Sequence, residues 1–238
     1  MEADPRHCNE DAVSGAAELT GPPTWSGETP RLRGVLHEFA FFAALAAGIV
    51  LVALVSDARA QVASCLYAAT LAAMFGASAL YHRVRWSSAS VRVWIRWLDR
   101  SAIFLFIAGT YTPFALLAFH GALATTLLAL VWVGAAAGLL LNFAWVDAPT
   151  WLAALVYLAL GWVGVVALPE LFSSVGLAVS VLVLVGGGLY TLGALAYVLG
   201  RPDPAPAVFG YHEVFHLLVI AAAAVQYIAV SFVVLGAA

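Results

Sequence analysis

Long apolar stretches dominate this sequence and exclude most soluble folds. A helix needs about 20 consecutive apolar residues to cross the hydrocarbon core of a bilayer. With 64% hydrophobic and only 10% charged residues among 238, the chain could not present a surface that water solvates. We therefore predict an all-α polytopic membrane protein, a bundle of seven transmembrane helices. The predicted spans lie near residues 35–56, 61–83, 101–119, 123–142, 150–168, 175–199 and 213–235.

The amino-terminal segment has a different composition from the rest of the chain. Residues 1–34 are polar, acidic and rich in Pro, Gly and Ser, and they lack the apolar central stretch of a secretory signal. We expect a disordered cytoplasmic tail over 1–34 that is retained in the mature protein. The membrane domain then covers 35–238, and its short loops leave no room for an inserted soluble domain.

The distribution of arginine predicts the direction of the spans. The chain has no lysine, and only Arg59 lies in a loop on the side opposite to the other arginines. Because cytoplasmic loops carry the excess of positive charge, we predict a cytoplasmic N-terminus and an external C-terminus. The arginines on the predicted cytoplasmic side are Arg6, Arg31, Arg33, Arg83, Arg85, Arg92, Arg96, Arg100 and Arg201.

This topology brings polar side chains from three distant segments to one depth. His82 ends span 2, Asp99 precedes span 3, and His212 and His216 lie one helical turn apart at the start of span 7. Ser78 lies one turn before His82 and shares its face. Ionisable groups at membrane depth are costly and usually face the protein interior with partners. A cluster confined to one side indicates a site rather than a pathway through the membrane.

Three imidazoles with an open fourth position form the ligand set of a catalytic zinc centre. Asp99 could then act as a general base towards water, and Ser78 could bond that water or a polarised carbonyl group. The simpler alternatives stay open at this point. Histidines near membrane ends often only hydrogen-bond between helices, and Ser78 could bond back to its own helix.

Three further residues near the same level have ambiguous roles. Glu213 is a carboxylate in the first turn of span 7, where the helix dipole favours it, although it could also support the histidines. His37 and Glu38 begin span 1, and we place both at the membrane interface by default.

Five stretches together carry a family resemblance. The sequence resembles the haemolysin III family, bacterial relatives of the progestin and adipoQ receptors in a wider group that contains alkaline ceramidases. The similarity covers essentially the whole chain beyond the tail, with the stretches in the family's order. These stretches are RGVLHE (33–38), SALYHR (78–83), LDRSAIFLFIAGTYTPF (98–114), GGGLYTLGALAY (186–197) and FGYHEVFH (209–216).

The resemblance implies a seven-helix fold in the bacterial inner (plasma) membrane, with the amino terminus inside. It implies Zn²⁺ held by one histidine of span 2 and two of span 7, and it matches Ser78 and Asp99 to the family's serine and aspartate. The chain departs from the pattern at Arg100, where many members carry histidine. That departure leaves the metal set intact and puts in doubt the contacts around the aspartate. The implied ligands are His82, His212 and His216.

Three functional hypotheses follow. The first is a zinc-dependent hydrolase that cleaves an amide or ester bond of a lipid at the cytoplasmic leaflet, as the kinship with ceramidases suggests. The second is a non-enzymatic, zinc-stabilised membrane sensor or receptor in lipid homeostasis. The third is the cytolysis that the family name suggests, ranked last because the spans are apolar nearly all round. Under each hypothesis the expected partners are membrane lipids and not nucleic acid.

Overall fold

The computed structural model describes residues 30–145 and 147–236, and the regular elements in these ranges are helical, without a strand. Residues 1–29 of the predicted tail lie outside the described part. Residues 30–34, which the prediction assigned to that tail, form turns next to the first helix. The helices are α1 (Val35–Ala53), α2 (Ala58–Arg83), α3 (Ala89–Leu117), α4 (Gly121–Ala144), α5 (Thr150–Gly161), a short 3₁₀ helix (Val163–Ala167), α6 (Leu168–Leu199) and α7 (Tyr211–Gly236).

Long apolar helices confirm the polytopic membrane class. Six helical stretches in the described residues are long and apolar enough to cross a membrane, with Thr150–Leu199 counted as one stretch of 50 residues. Large apolar side chains on their outer faces are exposed, for example Phe39 at 71% and Leu140 at 70%. An exposed apolar surface of this extent requires lipid around it.

The predicted fifth and sixth spans both fall within Thr150–Leu199. A straight helix of 50 residues would be about 75 Å long, more than twice the hydrocarbon thickness of about 30 Å. The stretch is interrupted by the 3₁₀ helix and again at Gly176, whose φ of 78° and ψ of 174° are not helical. The number of crossings here, and hence the total of seven and the side of each terminus, stay predictions.

Side-chain caps and small residues explain where helices begin and how closely they pack. Asp57 caps α2 by accepting a hydrogen bond from the Ala60 N–H at 2.8 Å, and Ser88 caps α3 in the same way. Between α1 and α2, a Cβ at Gly48 would lie 2.7 Å from the Ala68 Cβ. Small residues at such contacts let helices in a bilayer approach closely, which is how membrane bundles are held together.

The last helix has the central position in the bundle. α7 packs along α6 and also contacts α1, α2 and α3. It consequently buries an unusual number of polar side chains for a membrane helix, among them His212, Glu213, His216 and Gln226. The start of α7, the end of α2 and the start of α1 meet at one end of the bundle, and this end carries the candidate site.

Candidate metal centre

The histidines of α2 and α7 lie together, as the topology predicted. His82 Nε2 and His212 Nε2 are 3.2 Å apart. The candidate ligand nitrogens of His82, His212 and His216 all lie within 4.8 Å of one another. The His212 and His216 ring centroids are 4.5 Å apart, because a spacing of four residues places both rings on one helical face.

The distance between the His82 and His212 nitrogens fits two ligands of one zinc ion. With Zn–N bonds of about 2.0–2.1 Å and tetrahedral angles, two ligand nitrogens are separated by about 3.3 Å. The 3.2 Å between the nitrogens of His82 and His212 matches that separation. His216 is 2% exposed, and its Nδ1 is buried without a hydrogen-bond partner. A buried imidazole nitrogen with nothing to bind is costly unless a ligand satisfies it.

Ser78 and Asp99, the two other predicted site residues, line the same cavity as the three histidines. Ser78 is 4% exposed and lies one turn before His82 on α2. Asp99 lies on α3 and lines this cavity together with Ser78. The structure therefore brings all five predicted residues to one end of one cavity.

His37 belongs to this cluster, although we had placed it at the membrane interface. It is 3% exposed, and its Nδ1 lies 2.8 Å from Ser78 Oγ. Its ring stacks on His216, with centroids 3.7 Å apart and planes 11° apart, and its edge meets Phe75. His37 thus contacts both a candidate ligand and the candidate hydroxyl group. Its position in the resembling stretch RGVLHE was the signal in the sequence that could have identified it.

Glu213 combines a capping role with a buried ion pair. It is fully buried, and its Oε2 accepts a hydrogen bond of 2.8 Å from the Gly210 N–H, as in a helix capping box. Its Oε1 lies 2.7 Å from Arg33 Nε. The Arg33 N–H is not aligned on that oxygen as a hydrogen bond, so charge holds this pair. Glu38, by contrast, forms a half-exposed ion pair with Arg83.

The segment before α1 is tied to the loop between α6 and α7. The backbone N–H groups of Arg31 and Leu32 donate to the carbonyl oxygens of Ala207 and Val208 at 3.0 and 3.1 Å. We call residues 30–34 the cap segment. Together with the ion pair of Arg33 and Glu213, these bonds hold the cap segment at the histidine end of the bundle.

Gly34 lets the cap segment pass directly beside the candidate ligand of α2. Its φ of 77° lies in the left-handed region, and a Cβ there would come 2.5 Å from the Cβ of His82. Both features exclude a larger residue at this position, so the path of the cap segment past His82 requires glycine at position 34.

An apolar cavity of about 250 Å³ extends from the candidate site into the bundle. It is lined by residues from the 3₁₀ helix and from every α-helix except α4, and it reaches from Asp99 to Phe114, about 22 Å along α3. Apart from the histidine end, its walls are mostly aliphatic and aromatic. The exposed residues Thr150 and Gly161 also line it, which places an opening beside α5.

Known sequences place the chain in a family. A family model described as haemolysin-III related matches residues 25–227. The chain therefore belongs to the haemolysin III-related family of membrane proteins. With its apolar helices, this membership identifies a multi-pass protein of the bacterial plasma membrane.

Individual relatives extend from bacteria to mammals. The chain is 31% identical to Hemolysin-3 of Bacillus cereus over 181 residues, covering 76% of this chain and 79% of that protein. It is 30% identical to a Hemolysin-3 homolog of Bacillus subtilis over 135 residues, covering 57% and 61%. It is also 27% identical to the human monocyte to macrophage differentiation factor over 197 residues, covering 82% and 79%.

Proposed function

We propose that this protein is a zinc-dependent hydrolase that cleaves an amide or ester bond of a membrane lipid at the cytoplasmic leaflet. The observation that carries the proposal is the position of the histidine cluster at one end of a long apolar cavity. A headgroup linkage and its hydrocarbon chain need such an arrangement, with polar chemistry at one end and apolar walls beyond it.

The proposed metal ligands are His82, His212 and His216, and the proposal is supported by ligand nitrogens that lie within 4.8 Å of one another, with one pair 3.2 Å apart. A zinc ion held there would supply Lewis acidity, which polarises a carbonyl group and makes water more acidic. The buried ring of His37 would keep His216 in place by stacking on it.

The proposed catalytic residues are Asp99 and Ser78. Asp99 would take a proton from the attacking water and return it to the leaving group. Ser78 would donate a hydrogen bond to the oxygen that becomes negative, because its hydroxyl lies beside the same cavity end. The Nδ1 of His37, 2.8 Å from Ser78 Oγ, would orient this hydroxyl group.

Lipid amide and ester hydrolysis by the purified, zinc-loaded protein tests the proposal. The panel contains N-acyl sphingoid bases and glycerol esters, and Asp99→Asn should lose activity by at least about 100-fold with zinc content unchanged. The matched control is Asp147→Asn, because that carboxylate is 76% exposed and pairs with Arg96 away from the cluster. Zinc-loaded protein without turnover across the panel would contradict the proposal.

A bracing role for zinc is the competing proposal, in a sensor or receptor that needs no turnover. The cluster favours it because a metal there would tie α2 to α7, which are distant in sequence. Replacing Asp99 with Ala separates the two accounts. Loss of activity with zinc retained supports catalysis, whereas joint loss of zinc and fold supports bracing.

A further inference from the structure

The apolar cavity contains a second polar position, far from the histidines. Gln226 of α7 is 6% exposed and lines the cavity, and its Oε1 is buried without a hydrogen-bond partner. The hydroxyl group of Tyr190 of α6, which lines the same cavity, is also buried without a partner. Two orphaned polar atoms on one cavity wall indicate that a ligand group completes them.

The position of Gln226 depends on a glycine on the neighbouring helix. Its Nε2 donates a hydrogen bond of 3.2 Å to the carbonyl oxygen of Val183. A Cβ at Gly186 would lie 2.7 Å from that Nε2, so a larger residue there would displace the amide from this position. The bond to Val183 fixes the orientation of the amide and leaves the carbonyl oxygen as the free acceptor.

Gln226 and Tyr190 lie on two antiparallel helices that pack along each other, α7 and α6. Tyr190 follows Val183 on α6 by seven residues, or about 10 Å. It lies closer than Val183 to the histidine end, because Tyr197 further along α6 has its ring centroid 5.3 Å from that of His212. Helical side chains lean towards the N-terminus of their own helix. Since α6 and α7 run in opposite directions, these two side chains lean towards each other.

We propose that Gln226 and Tyr190 form a subsite that binds a hydroxyl group carried in the middle of a lipid chain. Gln226 offers an acceptor and Tyr190 a donor, and a hydroxyl group matches both, whereas a carbonyl group could only accept. The ligand class is therefore a lipid with a hydroxylated hydrocarbon chain. The inference rests on the proposed function in that the polar end of this lipid lies at the histidines.

The helix geometry sets the position of the hydroxyl group on the chain. Gln226 follows His216 by ten residues on α7, which corresponds to about 15 Å, and Tyr190 lies nearer to the histidines. An extended hydrocarbon chain is a zigzag that advances about 1.25 Å per carbon atom, so a distance of about 10–15 Å corresponds to about 8–12 carbon atoms.

Competition binding to the zinc-loaded protein tests the subsite without requiring turnover. A fluorescent fatty acid is displaced by stearic acid and by its derivatives hydroxylated at carbon 2, 10 or 12, the last two lying at the depth that the helix rise predicts. We expect the 10- or 12-hydroxy acid to bind about tenfold more tightly than stearic acid, and the 2-hydroxy acid not to gain. In Gln226→Leu this preference should disappear while stearic acid binds as before, and Tyr190→Phe should reduce the preference.

The outcomes separate the subsite from the proposed function. If stearic acid binds but hydroxylation in mid-chain brings no gain, the subsite is overturned, its polar atoms hold only water, and the lipid cavity stands. If a gain occurs but persists in Gln226→Leu, the assignment of the residue is overturned. If no fatty acid displaces the probe, both the subsite and the lipid cavity fail.

Discussion

Removing one partner of the buried ion pair between Arg33 and Glu213 should destabilise the fold far more than removing one partner of the exposed ion pair between Arg83 and Glu38 at the same end of the bundle. The Glu213 side chain is 0% exposed and that of Arg33 19%, whereas the ion pair of Arg83 and Glu38 is 44% and 43% exposed. Removing one partner of a buried pair leaves an uncompensated charge and costs about 3–5 kcal/mol. An exposed pair contributes only about 0.2–1 kcal/mol.

Two double-mutant cycles measure this difference in detergent-solubilised protein. The buried cycle uses Arg33→Met and Glu213→Gln, since glutamine keeps an oxygen for the Gly210 N–H. The exposed cycle uses Arg83→Met and Glu38→Gln. We expect Arg33→Met alone to lower the free energy of unfolding by about 3 kcal/mol. This value is at the low end of the range for buried pairs because the Arg33 side chain is 19% exposed.

In the buried cycle the double variant should recover about 2 kcal/mol relative to the sum of the single variants, because it no longer buries a lone charge. In the exposed cycle the coupling should stay below about 1 kcal/mol. Equal coupling energies in the two cycles would contradict this reasoning. The buried position of Glu213 would then not strengthen the ion pair that holds the cap segment at the histidine end of the bundle.

Three more predictions concern Gly34, His37 and the orientation of the chain in the membrane. Gly34→Ala should destabilise the protein by about 2 kcal/mol or more and lower zinc retention, because its Cβ would strike His82. Thermal unfolding measures both variants, and Gly200→Ala, with φ of 63° and open space around it, should cost only the backbone strain of about 1 kcal/mol. His37→Phe should retain zinc and the ring stack but lower kcat about tenfold or more through the lost contact with Ser78, and unchanged kcat would contradict that role. A tag on the N-terminus should be digested by protease only in inverted membrane vesicles, and digestion in intact spheroplasts would reverse the predicted orientation.

Chain direction made the main part of the site predictable. Alternating spans bring the end of α2, the first three turns of α3 and the start of α7 to one level, so His82, Asp99 and the two histidines of α7 could be grouped without knowing any packing. The expectation that Asp99 precedes the third helix was wrong, because α3 begins at Ala89 and contains it. The spacing of four between His212 and His216 then placed both rings on one face. The structure places these side chains around one cavity end.

The rotation of each helix was not predictable to the same extent. A soluble helix shows its buried face by an apolar stripe, but these helices are apolar nearly all round. Whether His37 faced lipid or the bundle therefore could not be inferred from the pattern. Glu213 shows a related limit, because its position predicted a capping carboxylate while its contact with Arg33 depends on the path of the cap segment.

The interruption of Thr150–Leu199 was visible only in part. Composition marked two apolar spans in this region, near 150–168 and 175–199, but no charged residue separates them apart from Glu170. In the structure α5 ends at Gly161, before the predicted end of the span at 168, and the 3₁₀ helix follows it. Gly176 then interrupts the helical conformation of α6. Glycine tolerates that left-handed φ, and nothing in an apolar sequence distinguishes such a glycine from one that only packs closely.

Zinc content of the purified protein tests the central claim most directly. We expect about one zinc per chain in the wild-type protein, and we expect it to be lost in His82→Ala, His212→Ala and His216→Ala. His120→Ala should keep it, since that histidine is 82% exposed and pairs with Glu170 at a separate site. Wild-type protein that takes up no zinc, or zinc that persists in the three variants, would contradict a metal centre between α2 and α7.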